Sequence, residues 1–179
     1  MIARSLGLVL ALASCQAKQE QPAAEAAAPA VAASQVLDRL DARTPVPLLP
    51  MMAQHQKQNM RDHLAVVQEV VAALARQDFP AIEKSAGRMG YSETMGQMCT
   101  HMGAGAAGFS DTALAFHKTA DKIARAASQR EPEAVAAALA ETLSACTACH
   151  ATYKQRIVDE ATWASLTGGA PGPTHPPHP

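Results

Sequence analysis

Cys146-Thr147-Ala148-Cys149-His150 is the stretch on which the reading of this chain turns. Two thiols three positions apart, followed at once by an imidazole, form the attachment pattern of a c-type haem, in which both sulfurs add to porphyrin vinyl groups and the His binds iron. On a helix the three side chains fall within about one turn of each other. They can therefore grip one face of a flat ring. A lone C-x-x-C also serves as a redox pair or as half of a zinc site. Three features oppose those readings: the His directly follows the second Cys, no second C-x-x-C or H-x-x-x-H completes a tetrahedron, and no βαβ pattern suggests a thioredoxin-like unit.

Around the motif the spacing predicts a long helix from Glu131-Pro132-Glu133, where Pro and acids favour a first turn, to about Asp159. Its seam, Leu139, Leu143, Cys146, His150, Tyr153 and Ile157, steps by four and three and carries the thiol and the imidazole with the core leucines. A haem held there would be inserted between helices. Upstream, Ser110 and Asp111 form an N-cap for a helix ending near Ser128, with Ala113, Phe116, Ala120, Ile123 and Ala127 inward. A helical region over residues 80–102 breaks near Gly90 and carries the Met95, Met98 and Met102 stripe, a pattern of core filler. Cys99-Thr100-His101-Met102 holds donors for a soft metal such as copper, but these side chains point in different directions on a helix and are not assigned as a site. Earlier still, residues 51–77 contain neither Pro nor Gly, and Met60, Leu64, Val67, Val71 and Leu74 form one apolar seam. Thr44-Pro45-Val46-Pro47-Leu48-Leu49-Pro50 breaks any helix that precedes it.

At the N-terminus, Arg4 and the apolar run Leu6 to Ala13 read as an export signal too short to span a membrane. It ends in Leu12-Ala13-Ser14-Cys15, which resembles the lipobox of bacterial lipoproteins; Cys15 would then carry the lipid. The alternative is an ordinary cleavable signal that contains a Cys. Either places the remainder outside the cytoplasm. Residues 16–34, rich in Ala, Gln, Glu and Pro, have no side chains able to form a core. As a flexible tether of about 20 residues they would span roughly 25 Å. The expected organisation is a signal peptide over 1–14, a lipid-anchored flexible linker over 15–50, a cytochrome domain over 51–160 and a disordered Gly/Pro/His tail over 161–179. His175 and His178 in that tail are too sparse for a metal-binding tract.

A chain of 179 residues is one domain's worth once its termini are set aside. Abundant Ala, with aromatics at 3%, suits close-packed helices and no sheet. A formal net charge of −1 without a Lys/Arg cluster sets nucleic acid aside. Of the four cysteines, Cys15, Cys146 and Cys149 are accounted for; Cys99 remains as a core residue, a free thiol or half of an intermolecular bridge.

Four helices, a C-x-x-C-H close to the end of the last, and Tyr153-Lys154 after it resemble the cytochrome c′ family over residues 51–159. The resemblance is strong at residues 146–154 and architectural elsewhere. It implies an all-α fold, an antiparallel four-helix bundle with one covalent haem c on the last helix. Cys146 and Cys149 would be the thioether residues, His150 the proximal iron ligand and Tyr153 a further haem contact. In low-spin relatives a Met from early in the first helix fills the other axial position, and Met60 lies close to where it would be. His63, less than a turn away, is the rival; its place beside Leu64 points it off the seam, and His63, His55, His101 and His117 are expected at the helix surface. His/Met ligation suits one-electron transfer, here with a redox partner protein at the bacterial cell envelope, in the periplasm and held to the membrane by the N-terminal lipid. With an open distal position the same frame would instead bind or sense nitric oxide or carbon monoxide. No paired acid and base suggests an enzyme. Relatives often dimerise through their first two helices, which leaves a homodimer open.

Overall fold

The computed structural model describes residues 33–169, so the export segment, Cys15, most of the tether and the His175/His178 tail lie outside the described residues. The chain divides after Asp41. The first unit contributes one described helix, α1 (Ala33–Leu40). The second begins at Ala42 and holds everything discussed below.

Helices dominate this unit: α2 (Pro50–Leu74), α3 (Phe79–Gly87), α4 (Glu93–Gly103), α5 (Phe109–Ser128), α6 (Pro132–Thr152) and α7 (Glu160–Thr167). Their ends follow local chemistry. Asp78 accepts from Ala81 N, Ser92 from Met95 N and Asp159 from Thr162 N, each satisfying an orphan donor of a first turn. Pro50 and Pro132 sit in the first turns of α2 and α6, where a missing N–H costs nothing. The third expected helix starts two residues earlier than a cap at Ser110 predicts. Gly108 takes the cap position with φ +75°, and Ser110 Oγ donates to Cys99 O at 3.3 Å instead.

α2, α3, α5 and α6 enclose a shared apolar core of Val66, Val70, Ala73, Ile82, Ala86, Phe116, Ala120, Ile123, Ala127, Val135 and Leu139. α3 packs on α2 and on α5, α5 packs extensively on α6, and α6 returns to touch α2 only slightly. The inward face of α2 differs from the expected seam. His63, Val66, Val70 and Ala73 are buried, whereas Leu64 and Val71 are exposed. The helix carries two apolar stripes about 100° apart, and the one with larger side chains is the outer one.

The expected helix-only architecture also needs a correction. β1 (Thr44–Leu48) and β2 (Tyr153–Ile157) form a two-stranded parallel sheet, with Thr44 opposite Tyr153 and Leu48 opposite Ile157. Val158 N donates to Leu48 O at 3.0 Å, so the even-numbered residues of β1 face β2 and Pro45 and Pro47 face away. Two prolines at alternate positions remove donors from one edge only. The last long helix accordingly ends at Thr152, seven residues before the expected stop at Asp159, and its continuation extends instead. Val46 and Leu48 from β1 join Ala53, Met102, Ala106 and Phe109 in a second core at this end, with Met98, Cys149 and Tyr153 packed against it. On α7, Trp163 is buried.

Candidate functional site

The C-x-x-C-H stretch occupies the last turn and a half of α6. Cys146 packs against the main core and Cys149 against the second, and both thiols are unbridged and half-buried. Burial pushes both thiols above their ordinary pKa, Cys149 further affected by the neighbouring Cys146. The end of a helix adds to this, since its partial negative charge disfavours a thiolate. Reactive C-x-x-C pairs need the opposite, a helix N-terminus or a cation that lowers the thiol pKa. The geometry therefore opposes dithiol redox chemistry. Among the described residues, no three His, Cys, Asp or Glu side chains converge to hold an ion directly.

Which way the other candidates face follows from two ion pairs. On α2, Glu69 accepts from Ser85 Oγ and Arg88 Nη2, both at 2.8 Å, which marks the flank toward α3. Met60 lies nine residues before Glu69, about 180° round the helix. On α6, Glu141 pairs with Lys122 of α5 and marks the α5 flank. His150 lies nine residues after Glu141, again about 180° round. Met60 and His150 thus occupy the flanks of α2 and α6 turned away from α3 and α5 respectively. The same flanks carry Leu64, Val71 and Leu143, which are 68%, 52% and 41% exposed, and Met60 itself is 38% exposed. Gln155 of β2 ties back to α2, its Nε2 donating to Gln56 Oε1 at 2.5 Å and to Ala53 O at 3.3 Å.

α6 is long and apolar enough by composition to cross a membrane, yet only 22% of its most apolar stretch is buried. Its unburied apolar residues include Leu143 on the flank that carries His150 and Ala134 and Ala137 on the α5 side. A flat apolar group attached through Cys146 and Cys149 would have Leu143 on the flank that carries His150, and two thiols with an adjacent imidazole are the donor set that holds a c-type haem.

His63 takes a different place from the one expected. It is buried toward α5, its ring 5.1 Å from Phe116 and 5.4 Å from His117. Burial, helped by His117, lowers its pKa to about 4, against a small opposing effect of Asp62. His117 is buried too, its Nδ1 2.8 Å from Met89 O, and burial lowers its pKa as well. The rings bury one another, since Phe116 also meets His117 edge-on at 5.0 Å. His101 is half-buried against Trp163, at 5.1 Å between rings, and His55 is exposed beside Asn59. Cys99 is a core residue whose thiol burial raises to about 11.

Tyr153 closes the motif end of α6. Its hydroxyl donates to Ala107 O at 3.1 Å and its ring meets Phe109 edge-on at 5.2 Å. A Cβ at Gly108 would come within 3.0 Å of that hydroxyl, so glycine serves both the turn and the contact. Arg43, which no motif rule singles out, donates from Nη1 to His150 O at 3.1 Å and Tyr153 O at 3.4 Å. No family model, curated protein or solved structure matches this chain.

Proposed function

We propose that this chain is a mono-haem c-type cytochrome, an antiparallel four-helix bundle that transfers single electrons to or from a partner protein at the bacterial cell envelope. The observation that carries the reading is a C-x-x-C-H motif with two half-buried, unbridged thiols on a helix whose Leu143, like Met60, Leu64 and Val71 of α2, stays exposed. Exposed apolar residues clustered in this way mark a surface that something covers. Bound haem would supply a ferrous/ferric couple.

Each residue then has a distinct task. Cys146 and Cys149 would hold the ring by thioethers, and His150 would bind the iron from α6. Met60, on the flank of α2 turned away from α3, would be the second axial ligand. Leu64, Val71 and Leu143 would keep water from the ring, which favours the less charged ferrous state. His63 faces the α5 side of α2 and is held among rings there, which favours Met60 over it. Tyr153 holds the end of α6 in register with the α4–α5 turn. Export by the N-terminal segment and a lipid on Cys15 would place the domain in the periplasm.

The test is expression with a haem-attachment system, followed by intact mass and absorption spectra. A mass increase of one haem and a low-spin ferric spectrum with a sulfur-ligand band are expected. Met60→Ala should then become high-spin and take up carbon monoxide; an unchanged low-spin spectrum rejects Met60. Wild-type protein that is already high-spin and binds carbon monoxide quickly would move the function to gas binding. A colourless protein without added mass sinks the reading.

A further inference from the structure

We propose that Arg43 is a positioning residue that sets the reduction potential of iron held by His150, an inference that rests on the haem reading above. The last four carbonyls of an α-helix lack intrahelical partners, and together they give that end a partial negative charge. In α6 this end lies directly behind His150. Nη1 of Arg43 donates to the carbonyl of His150 itself at 3.1 Å and to that of Tyr153 at 3.4 Å, reaching across more than a hundred residues of chain.

Its placement is fixed by the sheet. Arg43 immediately precedes β1, and the register that sets Thr44 opposite Tyr153 brings Arg43 alongside the final residue of α6. The parallel pairing therefore delivers a cation to the helix end that carries the ligand. Two consequences follow for iron bound there. The guanidinium offsets the partial negative charge that would otherwise favour the ferric form, and it holds the peptide from which the imidazole projects. Positive charge near the iron favours the ferrous state, so Arg43 raises the potential.

Redox titration of the haem-loaded protein separates this role from simple capping. Arg43→Gln, which can still donate but carries no charge, should lower the midpoint potential at low ionic strength. Arg43→Lys should stay close to wild type. Because Arg43 is exposed, the gap between Gln and wild type should shrink as salt is added. Haem-loaded Arg43→Gln with the wild-type potential at low salt overturns the inference. So does Arg43→Lys falling as far as Arg43→Gln, which would assign the effect to hydrogen-bond geometry. The thermal midpoint of each variant reports the capping role separately. Failure of the haem reading itself is distinct, since wild-type protein would then have no haem couple to titrate.

Discussion

The two flanks of α6 are alike in sequence and opposite in fate. On the α5 side, Val135, Ala138 and Leu139 are buried against Ile123, Ala126 and Ala127, and Lys122–Glu141 bridges the outer edge. Away from α5, Leu143 and His150 of α6 remain exposed, as do Met60, Leu64 and Val71 of α2. Alanines on α5 permit a close approach, so protein alone seals that flank. The α2 flank carries larger apolar side chains, and α6 touches α2 only slightly. A fold that needed only to be stable would close both sides. On the proposed reading, the exposed side would be covered by the haem.

The largest expected effect comes from removing the attachment chemistry on the open side. Cys146→Ser with Cys149→Ser should abolish covalent haem completely, read as loss of the added mass and of visible absorption. Helical content by circular dichroism should persist, because the α5 flank is untouched. A double variant that still carries a covalent macrocycle would break the comparison at its root. On the sealed flank the complementary substitution is Ile123→Ala. Ile123 is fully buried between α5 and its neighbours, and truncating such a side chain costs about 2–5 kcal/mol. Denaturant unfolding of the haem-free double variant should show this loss. A cost under about 1 kcal/mol would mean that the flank is not sealed.

How much of this was legible in the residues depends on which physical rule was decisive. The helical composition, the breaks at Gly90 and before Glu131, and the inward face of α5 follow from propensity and periodicity, which are local. The inward face of α2 was misassigned because periodicity finds an apolar stripe without saying what covers it. Met60, Leu64, Val67 and Val71 make the more hydrophobic stripe, but the core takes His63, Val66 and Val70. Burial of His63 depends on Phe116 and His117, rings of a different helix, which no local rule reads. The sheet was missed for a similar reason. Pro45 and Pro47 argue against a strand that pairs on both edges, while β1 pairs on one, with a partner more than a hundred residues away. Arg43 was invisible because its partners are backbone carbonyls brought to it by that sheet. The C-x-x-C-H spacing and its place near the end of the last long helix were legible because both are local features.

α2 repeats the comparison within a single helix, since His63 lies inside and Met60, one turn earlier, lies on the open flank. The inner position should show itself as acid sensitivity. His63 keeps its neutral form until pH falls to about 4, whereas in the unfolded chain it takes up a proton near 6.5. Between those values the unfolded state binds more protons, so stability falls as pH drops from 6.5 to 4 and then levels off. The expected contribution is about 3 kcal/mol. His63→Phe, which offers a ring of similar shape to Phe116, should remove this part of the pH dependence. Carboxylates titrate in the same window in both proteins, so the difference between the two profiles isolates the imidazole. Parallel profiles would place the His63 ring in contact with solvent.

The smallest effect belongs to Leu64, and it bears most directly on what covers the exposed flank of α2. With 68% of its surface exposed, Leu64 contributes little to a protein without haem, and Leu64→Ala in the Cys146→Ser, Cys149→Ser background should change stability by no more than about 0.5 kcal/mol. In the haem-loaded protein the same side chain would lie against the ring, and partial burial of a leucine is worth roughly 1 kcal/mol. Leu64→Ala should therefore destabilise the loaded form by more than the empty one, and should let water nearer the iron, seen as a lower midpoint potential. Equal small effects in both forms, with no change in potential, would mean that the outer stripe of α2 does not line the haem. The stripe would then need a different cover, and the asymmetry of α6 a different explanation.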